Sequence, residues 1–228
     1  METKYGLPLV NAQNFEVVID ELGVKSWPRT REPMILEEYL KGNLTDEERG
    51  ELRFAPKTEV VFLEDPLGKE FRGFRPIFRH GVTVFTMSPE DMVIIVADFR
   101  HGTEELSLSL PSGTPTRMDM NFPYPMEVCG KREFQEETGF ELEKLIPLSP
   151  QGIAVHGRPS NQKQFPFLGV VKKPLVIHPE WKDEKEFLTT FLMPLQDWYS
   201  LLPSGLVLEY SLTATYLALK QLGRLRLV

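Results

Sequence analysis

Three glutamates, Glu133, Glu136 and Glu137, lie at i, i+3 and i+4 within the string Arg132-Glu133-Phe134-Gln135-Glu136-Glu137-Thr138-Gly139-Phe140. On a helix that spacing gathers the carboxylates within an arc of about 100°. Groups so close repel one another by roughly 0.2–0.5 kcal/mol per pair even on an exposed surface. A divalent cation relieves that repulsion, and clustered carboxylate oxygens suit Mg²⁺, or Mn²⁺, better than zinc. Arg132 precedes Glu136 by four positions and can hold its carboxylate. Cys129 and Gly130 are expected towards the carboxylate side of the helix, where small residues admit a neighbouring backbone. Gly139 then lets the chain leave the helix sharply. The same pattern also describes a solvated acidic helix ending in a glycine cap.

The string resembles the core of the Nudix box, Arg-Glu-apolar-x-Glu-Glu-x-Gly-apolar. At average composition such a string arises by chance on the order of 10⁻⁷ per start position. The likeness continues upstream through Arg79-His80-Gly81-Val82-Thr83-Val84, Val96-Ala97-Asp98-Phe99-Arg100-His101-Gly102 and Leu108-Ser109-Leu110-Pro111-Ser112-Gly113. That run is similar to the approach to the box in ADP-ribose and related nucleoside-diphosphosugar pyrophosphatases. Downstream, Asp183-Glu184, a strand, Pro194-Leu195-Gln196 and a closing helix match the ending of that group. The resemblance implies an α/β (α+β) fold, the Nudix α/β/α sandwich around a mixed sheet. It implies Glu133, Glu136, Glu137 and Gly113 as metal ligands, Arg132 as their orienting partner, and the Gly113 loop as part of the diphosphate site. The activity it implies is Mg²⁺-dependent hydrolysis of a nucleoside diphosphate linked to another group, ADP-ribose or a nucleotide sugar, by metal-assisted attack of water. A protein of the same fold that binds such a nucleotide without cutting it is the alternative.

The chain departs from the box in one half. The family pattern runs Gly, five residues, Glu, seven residues, then Arg-Glu. Counted from Gly113 the Glu position holds Asp119, but twelve residues then precede Arg132; counted back from Arg132 it holds Tyr124. A five-residue insertion accounts for both counts, with Asn121-Phe122-Pro123-Tyr124-Pro125 expected as a stiff apolar bulge beside the site. Phe122 and Tyr124 there either shape substrate choice or pack the insert onto the domain. The proline that often follows the box in ADP-ribose hydrolases is also out of register, with Pro159 the nearest candidate.

Other residues carry weaker signals. Phe99 and Arg100, at the end of a strand, are expected to face a ligand, with Arg100 binding phosphate or making a surface ion pair. The polar loop at 156–163, including Arg158, can cover a diphosphate or simply be solvated. Glu180, Asp183, Glu184 and Glu186 form an acidic stretch able to supply a general base, Glu184 being the choice. Trp27, Trp181 and Trp198 read as packing residues, and the four histidines have no zinc spacing.

The elements that must position these groups follow from hydrophobic period. Strands are expected at 58–63, 81–86, 92–97, 105–110, 164–171 and 187–193. Ser88-Pro89-Glu90-Asp91 is expected to join the second and third as a hairpin. Helices are expected at 125–139 and 207–222, a short one after Pro194, and one opened by the capping box Thr45-Asp46-Glu47-Glu48. Prolines 28, 33 and 56 set residues 1–56 apart as an N-terminal appendage, the expected place of any homodimer contact, before a catalytic domain at 57–228. The chain has 228 residues, 41% of them hydrophobic, and a formal charge of −7. That acidity disfavours nucleic acid and anionic membranes as partners. One cysteine and no apolar leader or span suggest a soluble protein of the reducing cytoplasm.

Overall fold

The computed structural model describes residues 2–225 except 31, 34, 35, 53, 54, 56, 65, 101, 156–159, 174 and 179–187. At the start lie β1 (Thr3–Lys4), β2 (Leu7–Pro8) and α1 (Phe15–Glu21). Next come α2 (Leu36–Tyr39), α3 (Asp46–Glu51) and an antiparallel pair, β3 (Lys57–Glu64) and β4 (Glu70–Ile77). The remainder is β5 (Gly81–Thr86), β6 (Met92–Arg100), β7 (Glu105–Ser109), β8 (Ser112–Gly113), α4 (Pro125–Thr138), β9 (Leu142–Pro147), β10 (Ile153–Ala154), β11 (Lys163–Val171), β12 (Leu188–Pro194), α5 (Leu195–Leu201) and α6 (Glu209–Gln221).

The chain divides into two compact units. One holds residues 27–78 and 156–162, and the other holds 1–26, 79–155 and 163–228. The division therefore runs elsewhere than the boundary expected at residue 56. Leu7, Val10, Val18, Ile19 and Val24 are buried in the larger unit's core, and the Val10 N–H donates to the Leu192 carbonyl of β12. Those apolar residues are too few and too irregularly spaced to announce a core segment in the sequence. In the smaller unit α3 begins with the expected reciprocal cap. The Glu48 N–H donates to the Thr45 hydroxyl, and the Thr45 N–H to the Glu48 carboxylate.

The larger unit is built on a mixed sheet in the order β10–β11–β5–β8, with β9 also paired to β11; β5 and β11 run parallel. Alternation along these strands decides what each face carries. Val82 and Val84 of β5, with Phe167 of β11, share one buried cluster with Cys129 and Phe134 of α4. Phe85 and Leu168, the next residues along, join Ala214, Ala218 and Leu219 of α6 in the other. The two helices thus cover opposite faces, the expected α+β sandwich. A second sheet, β12–β6–β7, is antiparallel throughout.

The turn at Ser88–Asp91 closes as expected, with the Ser88 N–H donating to the Met92 carbonyl and an isolated bridge between Met87 and Val93. The flanking strands do not continue as a hairpin, however. Beyond that bridge β5 pairs with β11 and β8, while β6 pairs with β12 and β7. Each strand instead takes longer pairings, six residues of β5 with β11 and seven of β6 with β12. Among the described residues no helix is long and apolar enough to cross a membrane.

Candidate active site

Helix α4 positions the carboxylates because its core side is fixed. Cys129, Gly130, Phe134 and Thr138 are buried, and a Cβ on Gly130 would meet Leu145, Val84 and Phe167 at 3.0–3.9 Å. Gly130 therefore admits side chains of the sheet, not the neighbouring backbone expected there. Pro125 occupies the first turn, where its missing N–H is harmless, and Gly139 ends the helix at φ +73°, with its N–H donating to Gln135.

Arg132 is the hub. Its guanidinium donates to Glu136 at 2.7 Å, to Glu133 at 2.8 Å and to Asp119 at 2.9 Å, and it reaches the Thr114 carbonyl at 3.3 Å. Burial alone would make the guanidinium easier to deprotonate, but the Asp119 and Glu133 carboxylates reverse this and hold its proton more firmly than usual. Cys129 sits against the same group, its sulfur 3.8 Å from Arg132 Nη2. Burial, then the Glu133 charge, pushes the thiol up to about 12.

Asp119, the residue reached by counting from Gly113, pairs with Arg132 across the residues expected as an insertion. Its side chain is 5% exposed and paired to Arg132. The Thr116 N–H donates to it at 2.7 Å, and the Thr116 hydroxyl at 3.0 Å. Burial raises its carboxyl pKa, and the Arg132 and Thr116 hydrogen bonds outweigh that, leaving it below the ordinary aspartate value. Of the residues expected as an insertion, Asn121 closes a 3₁₀ turn, Asp119–Asn121, and Pro125 already belongs to α4. Phe122 and Tyr124 are 54% and 73% exposed, so neither ring packs the insert into the core. Tyr124 also edges a groove of about 360 Å³ shared with Pro147, Phe165 and Phe167.

Two backbone features of β8 complete the carboxylate side. A Cβ on Gly113 would overlap the Glu133 carboxyl group, so only glycine lets the strand lie against it. The Ser112 N–H donates to Glu137 Oε2 at 2.9 Å, and Glu137 is buried. Glu136, with its side chain 38% exposed, is the most open of the three.

Arg100 joins this edge from β6. It forms an ion pair with Asp98 at 3.0 Å, and its Nη2 donates to the Tyr210 hydroxyl at 3.2 Å. The Ser112 hydroxyl donates to the same Tyr210 oxygen at 3.4 Å. Burial chiefly raises the Tyr210 pKa, keeping the phenol neutral. Tyr210 and Ser112 carried no signal in the sequence, because their meeting depends on how α6 packs. Phe99 departs from expectation: it is 8% exposed, and strand alternation directs it away from the face that Arg100 uses. Arg158, Pro159, Glu180, Asp183, Glu184, Glu186 and Trp181 lie outside the described residues. Trp198 is fully buried, its indole N–H donating to Thr215, whereas Trp27 is 48% exposed.

Among the described residues no three His, Cys, Asp or Glu side chains converge as a ready-made metal site. Arg132 explains the arrangement: its guanidinium takes the place between Glu133 and Glu136 that a cation would compete for. The donor chemistry itself, carboxylate oxygens beside a glycine backbone, suits a hard divalent ion.

Neither the models of known protein families nor the curated proteins contain a match to the chain. Solved structures do. One described as an ADP compounds hydrolase shares 22% identity over 75% of this chain and 90% of its own, with a TM-score of 0.56. At that identity the likeness establishes the fold: this chain has the architecture of that hydrolase.

Proposed function

We propose that the protein hydrolyses a phosphoric anhydride bond in a nucleoside diphosphate linked to a second group, ADP-ribose or a nucleotide sugar, with Mg²⁺ as cofactor. The observation that carries this reading is the placement of Glu133, Glu136 and Glu137 on the one helix α4, the first two held by Arg132, the third by the Ser112 amide, with Gly113 lying against Glu133. Glu133, Glu136, Glu137 and the Gly113 carbonyl would hold Mg²⁺, which when bound supplies an activated water and neutralises charge on the leaving oxygen. Arg132 keeps Glu133 and Glu136 from splaying under mutual repulsion. Arg100 offers a guanidinium to a phosphate oxygen, the partner its planar fork suits. The ADP compounds named for the structural neighbour fall within this substrate class.

Incubating the protein with Mg²⁺ and a panel of ADP-ribose, ADP-glucose and UDP-glucose, with products separated by chromatography, tests the reading. Cleavage to a nucleoside monophosphate and a phosphorylated partner is expected, and is abolished by EDTA. Tight binding of one compound without cleavage would instead make the protein a nucleotide sensor.

A further inference from the structure

We propose that Tyr210 is a positioning residue for Arg100, orienting its guanidinium for a substrate phosphate and tying it to the strand that anchors Glu137. This deepens the hydrolase reading and rests on it. Arg100 is gripped at two points, Nε by Asp98 at 3.0 Å and Nη2 by the Tyr210 hydroxyl at 3.2 Å. The two grips differ in kind. Asp98 lowers the net charge of the pair, whereas the phenol accepts a hydrogen bond and leaves the cation's charge intact for an anion. With its side chain 37% exposed, Arg100 would otherwise sample many rotamers, whose entropy is lost on binding. Holding it beforehand removes part of that cost.

Tyr210 is itself well placed to hold something. On one side the Leu208 N–H donates to the Leu108 carbonyl at 3.1 Å, and on the other the Ser211 hydroxyl accepts from the Leu110 N–H at 2.9 Å. These clamps fix the first turn of α6 against β7 and the segment leading into β8. The Tyr210 oxygen also accepts from the Ser112 hydroxyl at 3.4 Å, and the Ser112 amide holds Glu137 at 2.9 Å. One short chain of contacts thus links the phosphate-binding cation to a carboxylate of α4.

The test is Tyr210→Phe, which removes the hydroxyl and keeps the ring, assayed with Mg²⁺ on ADP-ribose, ADP-glucose and UDP-glucose. KM for the cleaved compound is expected to rise about tenfold while kcat stays within about threefold. The thermal midpoint should not move. Combined with Arg100→Gln, the Tyr210→Phe change should add no further rise in KM, because the group it positions is gone. An unchanged KM in Tyr210→Phe, or effects of the two substitutions that multiply independently, overturns the proposal while leaving the hydrolase reading intact. A wild-type protein that neither cleaves nor binds any of the three compounds overturns both. A rise in KM accompanied by a fall in thermal midpoint would reduce Tyr210 to a packing role and also overturn it.

Discussion

The net of bonds around Arg132 and the insert that precedes α4 are neighbours in sequence and opposites in physics. In the first, Asp119, Glu133 and Glu136 share one guanidinium, and a missing methylene or an added Cβ would break contacts of 2.7–2.9 Å. In the second, Phe122 and Tyr124 are 54% and 73% exposed. The exposed segment thus lies between two fixed points. Here one end is pinned by Asp119, held by Thr116 and Arg132, and the other by Pro125 in the first turn of α4. Polar satisfaction fixes geometry; exposure leaves it open to change.

The sharpest way to break this contrast is Glu136→Gln. Under the proposed function hydrolysis is expected to fall by at least about 10³, since Glu136 would help hold the activating cation. Stability should change by no more than about 0.5 kcal/mol, because the lost ion pair is partly exposed and Arg132 keeps Asp119 and Glu133. Turnover and thermal midpoint measured together decide it, and retained turnover would remove Glu136 from the site.

Asp119→Ala comes next. It should cost about 2 kcal/mol, the worth of a charged hydrogen-bonded partner taken from a buried position, and reduce activity about 10–100-fold by loosening Arg132. Urea unfolding and steady-state rates report the two losses. The folded-state pKa of Asp119 lies below its ordinary value of 3.8, so its stabilisation is present above that value and is lost as pH falls through the depressed one. Wild type minus Asp119→Ala stability should accordingly shrink below about pH 4. A difference that stays constant down to pH 2 would contradict the assigned partners.

The insert should respond in the opposite manner. Phe122→Ala with Tyr124→Ala is expected to leave metal affinity and the thermal midpoint nearly constant, within about 0.5 kcal/mol, as for exposed positions generally. KM or substrate preference should shift severalfold. Falling metal affinity would show the insert to be part of the polar net after all. The smallest effect concerns Cys129. With its thiol pushed up to about 12 and no exposed surface, it should resist iodoacetamide at pH 8 in the folded protein and react once guanidinium unfolds it. Rapid native labelling would mean that α4 opens readily.

The same contrast governs what could be read from the sequence. The helical spacing of Glu133, Glu136 and Glu137, the reach of Arg132 to Glu136 and the Gly139 cap were legible because they follow local rules on one short stretch, whereas Gly113 was marked only by the resemblance to the box. Asp119 was found by counting, yet its pairing with Arg132 could not be, since the path of the insert decides whether the two meet. Tyr210 was out of reach: nothing in Glu209–Gln221 marks one aromatic on an amphipathic helix as a partner for Arg100, more than a hundred residues earlier. Strand β4, Glu70–Ile77, was missed because its charges, Gly73 and Pro76 argue against a strand. It forms by pairing residue for residue with β3, Lys57 opposite Ile77 through Glu64 opposite Glu70. The β5–β6 turn was recognised from its residues, whereas the sheets its strands enter depend on partners far along the chain.

Glu137 is held by the amide of Ser112, not by its side chain. Inheritance treats those two kinds of anchor differently. A hydroxyl or a guanidinium disappears with almost any change of residue, so a site built only on side chains is exposed to drift at every contact. A main-chain N–H survives nineteen of the twenty residue types, and only proline would delete it. Position 112 is thus free to explore other side chains over generations, losing its contact to Tyr210 while the Glu137 carboxylate keeps its bearing.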